Sequence, residues 1–363
     1  MDFLPFDYMV WAKSHQGRYA FDLSVSGMAP PDADMFPLDP QCLTLQGVSA
    51  ELRQQLKCAI AREYGVAASK VLLAAGTSEA NYLVYGALVS NGDGVLVETP
   101  AYQALTRLPS VFGAHAIPFA LRPDQRYALS VEAVQQAWRP GVKLVALTSP
   151  HNPSGFAASR EALLALGDWL GKVDAYAVVD EVYRDFDPNP PPVAQALHPR
   201  LITTASLTKV YGLGSLRAGW ALMPEVLVAK AEQRYDFMAV NPATTMLNLA
   251  LSAFPKLAPL RARATQRAQQ NRDLVAAWLS ESKCFSAQLP PHGIIALLQL
   301  PPGVDDVALT QYLAEKQVLV APGAYFGAPG TLRLAYGMES ARLGEALERL
   351  EAGTRDYQKD IKT

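Results

Sequence analysis

The feature that most constrains the fold of this 363-residue chain is a succession of short apolar runs, each closing on a glycine, a proline or a polar residue and separated from the next by helical periodicity. "VLLAA" runs into Gly76, "GVLVE" into Thr99 and Pro100, "KLVALTSP" ends at Pro150, "AYAVVDE" carries Asp180 near its end and "RLITTAS" ends at Ser206, with "AHAIPF" between the second and third. Most of these runs are apolar on both faces, which a strand tolerates when both faces are covered. The pattern therefore predicts an α/β fold with a mostly parallel sheet flanked by helices. In such a sheet ligands gather beyond the carboxyl ends of the strands, so the polar residues that follow the runs are the candidates for function.

Upstream of the runs, residues 49 to 64 repeat Leu52, Leu56 and Ile60 at helical spacing, which predicts an amphipathic helix with Ser49 as its N-cap. Beyond Trp220 helical segments dominate to about residue 282, and the arginines of the stretch from 260 to 280 (Arg261, Arg263, Arg267 and Arg272) read as a solvated helix face. "GIIALLQL" and "TLRLAYG" are weaker strand signals on either side of a helix from Asp305 to Lys316. The expected division is a large domain over residues 45–255 and a smaller α+β domain built from residues 1–44 together with 256–363, since the chain is too long for one small core.

With 32 Lys+Arg against 34 Asp+Glu and no basic block, nucleic acid is not an expected partner. Cys42, Cys58 and Cys284 are scattered and odd in number, which suits neither a disulfide framework nor a metal cluster; no metal is expected, and a reducing compartment is. The first residues lack a basic segment leading into an apolar core. No apolar run reaches the ~18 residues of a membrane span. The expectation is a cytoplasmic protein without a membrane segment.

Four loops carry the chemistry. "AAGTSEANYLV" sets Gly76, Thr77 and Ser78 at the start of a helix, where free backbone N–H groups suit a phosphate, although the same residues also serve as ordinary caps. In "TSPHNPSG", Pro150 and Pro153 stiffen a turn that can hold the Asn152 amide in a strand-end cleft, or can be a bare turn. "VVDEVYRDF" brings Asp180 out of a buried strand with Tyr183 three residues on, and a carboxylate there must be paired, hydrated or used; one candidate partner is a protonated pyridine nitrogen. "SLTKVYGLGSLRAGW" holds Lys209 between apolar runs, where a lysine is either a surface charge or one that is chemically employed.

Taken in order, "GTSEA", the "AY" of "TPAYQAL", "SPHNPSG", "DEVYRDF", "SLTKVYGLGSLRAGW" and a late "LRLAYG" resemble the class I and II aminotransferases, enzymes of fold type I that use pyridoxal 5'-phosphate, over about residues 49 to 337. The resemblance implies that Lys209 holds the cofactor as a Schiff base and later moves a proton at the substrate α-carbon. It assigns Asp180 to the pyridinium nitrogen, Asn152 and Tyr183 to the ring's phenolic oxygen and Tyr102 to the ring face. Ser206 and Arg217 would grip the phosphate with Gly76, Thr77 and Ser78. Arg333 would bind the substrate α-carboxylate, with Asn152 and Gly27, next to Ser26, on the substrate side. The family further implies a homodimer that exchanges an amino group between an amino acid and a 2-oxo acid by a ping-pong mechanism. A lyase, decarboxylase or cyclase on the same scaffold is the alternative, and a regulatory module that binds cofactor without turnover is another.

Three features depart from the family pattern or stay open within it. No tyrosine closely precedes Gly47 in "CLTLQGVSAELRQ", so the phosphate contact across subunits lacks a candidate. Ser78 stands where some aspartate-using relatives carry a lysine, which leaves an arginine such as Arg234 of the partner subunit as another route to a dicarboxylic substrate. Phe3, Phe6, Tyr8 and Trp11 either line the cleft or anchor the N-terminus, with anchoring the simpler reading.

Overall fold

The computed structural model describes residues 4–44 and 50–361. Its described strands are β1 (Phe21–Asp22), β2 (Val71–Ala74), β3 (Gly94–Thr99), β4 (His115–Ala120), β5 (Val142–Thr148), β6 (Tyr176–Asp180), β7 (Leu201–Ser206), β8 (Gly219–Leu222), β9 (Ile295–Gln299), β10 (Val318–Leu319), β11 (Ala321–Pro322) and β12 (Thr331–Ala335). A seven-stranded sheet in the order β2-β8-β7-β6-β5-β3-β4 forms the centre, and β8 alone runs against its neighbours β2 and β7. The mostly parallel sheet is as expected. β8 escaped the sequence reading because four residues opening on glycine give too short an apolar run.

Alternation along the strands fills two layers. Leu96, Val145, Leu147 and Val179 pack on one face against Leu163, Leu166 and Leu170. Leu72, Val95, Leu144 and Val178 pack on the other against Leu83, Val84, Leu105 and Leu227. Burial on both faces explains why these segments read as nearly continuous apolar runs.

Three helices bear on the site, α1 (Asp7–His15), α3 (Thr77–Leu88) and α4 (Gln103–Val111), while α2 (Ala50–Tyr64) packs into a hydrophobic core. α2 buries Leu56, Ile60 and Tyr64 along the predicted stripe, while Ser49, its expected cap, lies outside the described residues. α3 leaves β2 through Gly76 at φ 88° and ψ 171°, backbone space that only glycine enters without strain.

A second, antiparallel sheet has the order β11-β12-β9, and β1 pairs parallel with β10. The helix between β9 and β10 spans Asp306–Glu315, capped by the Asp305 carboxylate accepting from the Ala308 N–H. The long helix Leu257–Glu281 corrects one expectation. Its arginines do not face water as a solvated stripe: Arg261 reaches Glu63 and the Tyr211 hydroxyl, Arg263 the carbonyls of Ala29 and Pro30, Arg267 Glu339, and Arg272 the Pro290 carbonyl. The helix runs past elements from both ends of the chain, so its long cationic side chains clamp neighbours that the sequence alone does not place beside it. No described helix is long and apolar enough to cross a membrane.

Candidate active site

Beyond the carboxyl ends of β2, β5, β6 and β7 lies a cavity of about 790 Å³, lined by Thr77, Ser78, Asn152, Asp180, Tyr183, Ser206, Lys209 and Arg217, with Tyr102, Ser26 and residues of α1 closing it. Every cofactor-side residue singled out in the sequence except Gly76 lines this one space.

Asp180 ends β6 and is buried. Its Oδ2 accepts from the Asn81 amide at 3.0 Å and its Oδ1 from the Val182 N–H at 3.2 Å, while Asn81 in turn accepts from the Thr204 hydroxyl at 2.7 Å. Burial raises the Asp180 carboxyl to a pKa of about 6, against the hydrogen bonds from Asn81 and Val182 and the charge of Lys209, which favour ionisation. A positively charged group set against this carboxylate would be strongly held. Asn81 was missed in the sequence, although a polar residue on the apolar face of α3, one turn after Thr77, is a readable signal.

Lys209 donates from Nζ to Ser26 Oγ at 3.1 Å. Desolvation lowers its amine below the ordinary lysine range, Arg333 and Arg217 push the same way, and Tyr8 and Asp180 oppose them. The lysine is thus poised to be neutral more readily than a surface lysine, as a nucleophile or base requires. Gly27 packs directly on it: a Cβ there would stand 3.4 Å from Lys209 Cδ, and the Met28 N–H donates to the Lys209 carbonyl at 2.8 Å.

The start of α3 is built to receive an anion. No side chain caps its first turn, and Thr77 donates to Ser206 Oγ at 2.9 Å. Arg217, itself in the left-handed region at φ 52°, donates from Nη2 to the Ala75 carbonyl at 2.8 Å and lies across Gly76, whose missing Cβ would come within 2.5 Å of that nitrogen. A helix N-terminus, an arginine fork and two hydroxyls converge there. Deeper in, the Asn152 Oδ1 is buried and unpartnered, and the buried Tyr183 hydroxyl, near Ser26, makes no hydrogen bond of ordinary geometry. The Asn152 loop is held from below, its N–H donating to Thr148 Oγ1, which donates in turn to the buried Glu98.

Arg333 differs from the other candidates. It is fully buried in β12 and does not line the cavity: Nη2 donates to the Tyr8 hydroxyl at 2.9 Å and to the Ser24 carbonyl, while Nε and Nη1 have no partner. Tyr8 of α1 sits between it and the open space, packed on Phe326 and within 5.6 Å of the guanidinium. Tyr8 therefore both anchors the N-terminus and lines the cleft, and Phe6 lines it too, edge-on to Tyr102 at 5.6 Å. Trp11 packs on Tyr325, and Phe3 and Gly47 lie outside the described residues. Arg234 is exposed on the helix Glu225–Met238, over Gly86, and does not line this chain's cavity.

The residues gathered here suit pyridoxal phosphate: an anion cradle, a buried carboxylate, an amide whose oxygen is unpartnered, an unpartnered phenol, and one desolvated amine. The family model for aminotransferase class I and II matches residues 45–350. Capreomycidine synthase of Streptomyces vinaceus is 29% identical over 308 residues, covering 83% of this chain and 79% of that protein. Arginine–pyruvate transaminase of Pseudomonas aeruginosa is 28% identical over 309 residues, covering 82% and 79%. Among solved structures, a PLP-dependent aminotransferase from Streptococcus suis superposes with a TM-score of 0.90 at 23% identity, covering 98% of this chain and 99% of that one, a likeness of fold.

Proposed function

The chain belongs to the aminotransferase class I and II family, and from that premise we propose how its own residues carry out the exchange of an amino group between an amino acid and a 2-oxo acid. Bound pyridoxal phosphate supplies an aldehyde that condenses with amines and a conjugated ring that takes up the electron pair of a substrate carbanion. Lys209 would tether the cofactor through its Nζ, and the same amine, less basic than a surface lysine, would move the proton at the substrate α-carbon. Asp180, whose two oxygens accept from Asn81 and Val182, would face the ring nitrogen and favour its protonated form. Asn152 and Tyr183 would donate to the phenolic oxygen and Tyr102 would cover the ring face. Ser206, Arg217 and the start of α3 with Gly76, Thr77 and Ser78 would hold the phosphate. Arg333 would take the substrate α-carboxylate with its unpartnered nitrogens once Tyr8 gives way, with Gly27, packed on Lys209, on the substrate side.

The observation that carries this reading is the meeting of Lys209 and Asp180 in one cavity with an uncapped helix N-terminus. The reading extends to a cytoplasmic homodimer, with a large domain over residues 45–255 and a smaller one from residues 1–44 and 256–363. Absorbance spectra with added pyridoxal phosphate test the chemistry. Wild type should show a visible band that Lys209→Ala lacks, that an amino acid removes and that a 2-oxo acid restores. A band that no amino acid changes, or release of pyruvate and ammonia from one substrate alone, would replace transamination with another reaction of the same scaffold.

A further inference from the structure

Between α1 and α4 the cavity is walled mostly by apolar and aromatic side chains, among them Phe6, Met9, Leu108 and Val111. Among the described residues, the charged side chains that line it are Lys13, Arg107, Asp180, Lys209 and Arg217. Cofactor binding would occupy the last three. The charges left to meet a substrate side chain are Lys13, exposed at the mouth, and Arg107, and both are positive.

Arg107 is incompletely satisfied. Its Nη2 meets Asp7 Oδ2 at 3.2 Å, but its Nε is buried and bonds nothing. Asp7 stands in the first turn of α1, where Gln103 also donates to it at 3.2 Å and accepts from the Tyr8 N–H at 2.7 Å. The next residue, Tyr8, occupies Arg333, whose Nε and Nη1 are likewise unpartnered. Two neighbours on one helix thus engage two arginines that each keep free donors, the arrangement expected if each arginine also serves a second anion.

We propose that Arg107 reads an anionic group at the far end of the amino donor, a carboxylate or a phosphate, and that Asp7 holds its place when substrate is absent. The inference rests on the transaminase reading and names the substrate class for it. The arginine fork matches either oxyanion through paired N–H groups. A cationic side chain would find no carboxylate among the described residues lining this part of the cavity, although one of the relatives is named for arginine.

The test compares holoenzymes of wild type, Arg107→Gln and Asp7→Asn on aspartate, glutamate, 2-aminoadipate and O-phosphoserine against asparagine, glutamine, phenylalanine and arginine. The readout is the ratio of kcat/KM for anionic over neutral donors within each protein, from which any loss of folded enzyme cancels. Wild type should favour one of the anionic donors, and the best of them separates carboxylate from phosphate. Arg107→Gln should lower the ratio roughly tenfold to a hundredfold, the loss of a charge-assisted hydrogen bond, and Asp7→Asn should raise it. An unchanged ratio in Arg107→Gln, or a wild type that prefers arginine, overturns the proposal. Should no donor react at all, transamination falls by itself. Calorimetric binding of glutarate against butyrate then still decides Arg107: preference for glutarate lost in Arg107→Gln supports its role, and equal binding in both proteins refutes it.

Discussion

At the scale of the residue, the site depends as much on a missing atom as on the groups that are present. Gly76 holds φ 88° and ψ 171°, and a Cβ there would approach Arg217 Nη2 to 2.5 Å. The guanidinium is the end of a flexible side chain and can swing aside, so Gly76→Ala need not unfold the protein. The swing, however, takes the fork off the anion cradle, and the backbone conformation itself costs a non-glycine residue roughly 1–3 kcal/mol. Gly76→Ala should therefore weaken pyridoxal phosphate about tenfold to a hundredfold in a fluorescence titration, while Lys209 in the bound fraction still forms its absorbance band. Affinity within a factor of two of wild type would show that Arg217 does not need that space.

At the scale of the element, β8 turns the same contact into a matter of stability. Gly219 pairs with Ala74 and with Ser206, and a Cβ on it would stand 2.5–2.6 Å from backbone atoms of Gly76, which cannot swing away. Gly219→Ala should lower both the urea midpoint and cofactor affinity, with an overpacking cost of about 1–3 kcal/mol; a variant that loses affinity at unchanged midpoint would refute this. The contrast between the two glycines also shows what the sequence could disclose. The parallel strands and the residues at their ends were legible because burial on both faces leaves long apolar runs and the loops follow them in a family-like order. β8 was not, since its role is to close a hairpin behind Lys209 and to let two backbones touch. The clamping by Arg261, Arg263, Arg267 and Arg272 was hidden for another reason: a periodic charge pattern does not say what packs alongside. The screening of Arg333 by Tyr8 joins residues 325 positions apart, a contact that no local pattern encodes.

At the scale of the whole molecule, the buried carboxylate that serves the chemistry should weigh against folding. The Asp180 pKa in the folded chain, about 6, stands above its value of 3.8 in an unfolded chain, so the folded state holds the proton more tightly. The stabilisation this gives is fully present below about pH 4 and is lost as pH rises through about 6. In cofactor-free protein above that range the ionised, desolvated group lowers stability by on the order of 2–3 kcal/mol. Asp180→Asn removes the titration and keeps the network: the Asn81 amide can reverse, accepting from the new amide and donating to the Thr204 hydroxyl. Urea unfolding of cofactor-free proteins should show Asp180→Asn more stable than wild type at pH 7.5, with the gap closing toward pH 4. Glu181, raised to about 7 by burial, titrates alike in both proteins and drops out of the difference. With pyridoxal phosphate bound the order should narrow or invert, since only the carboxylate pairs with a protonated ring nitrogen, and turnover of the variant should fall by about a hundredfold or more. A variant no more stable than wild type at pH 7.5 would mean that Asn81, Val182 and Lys209 already offset the burial of the charge, and that the site imposes no cost on the fold.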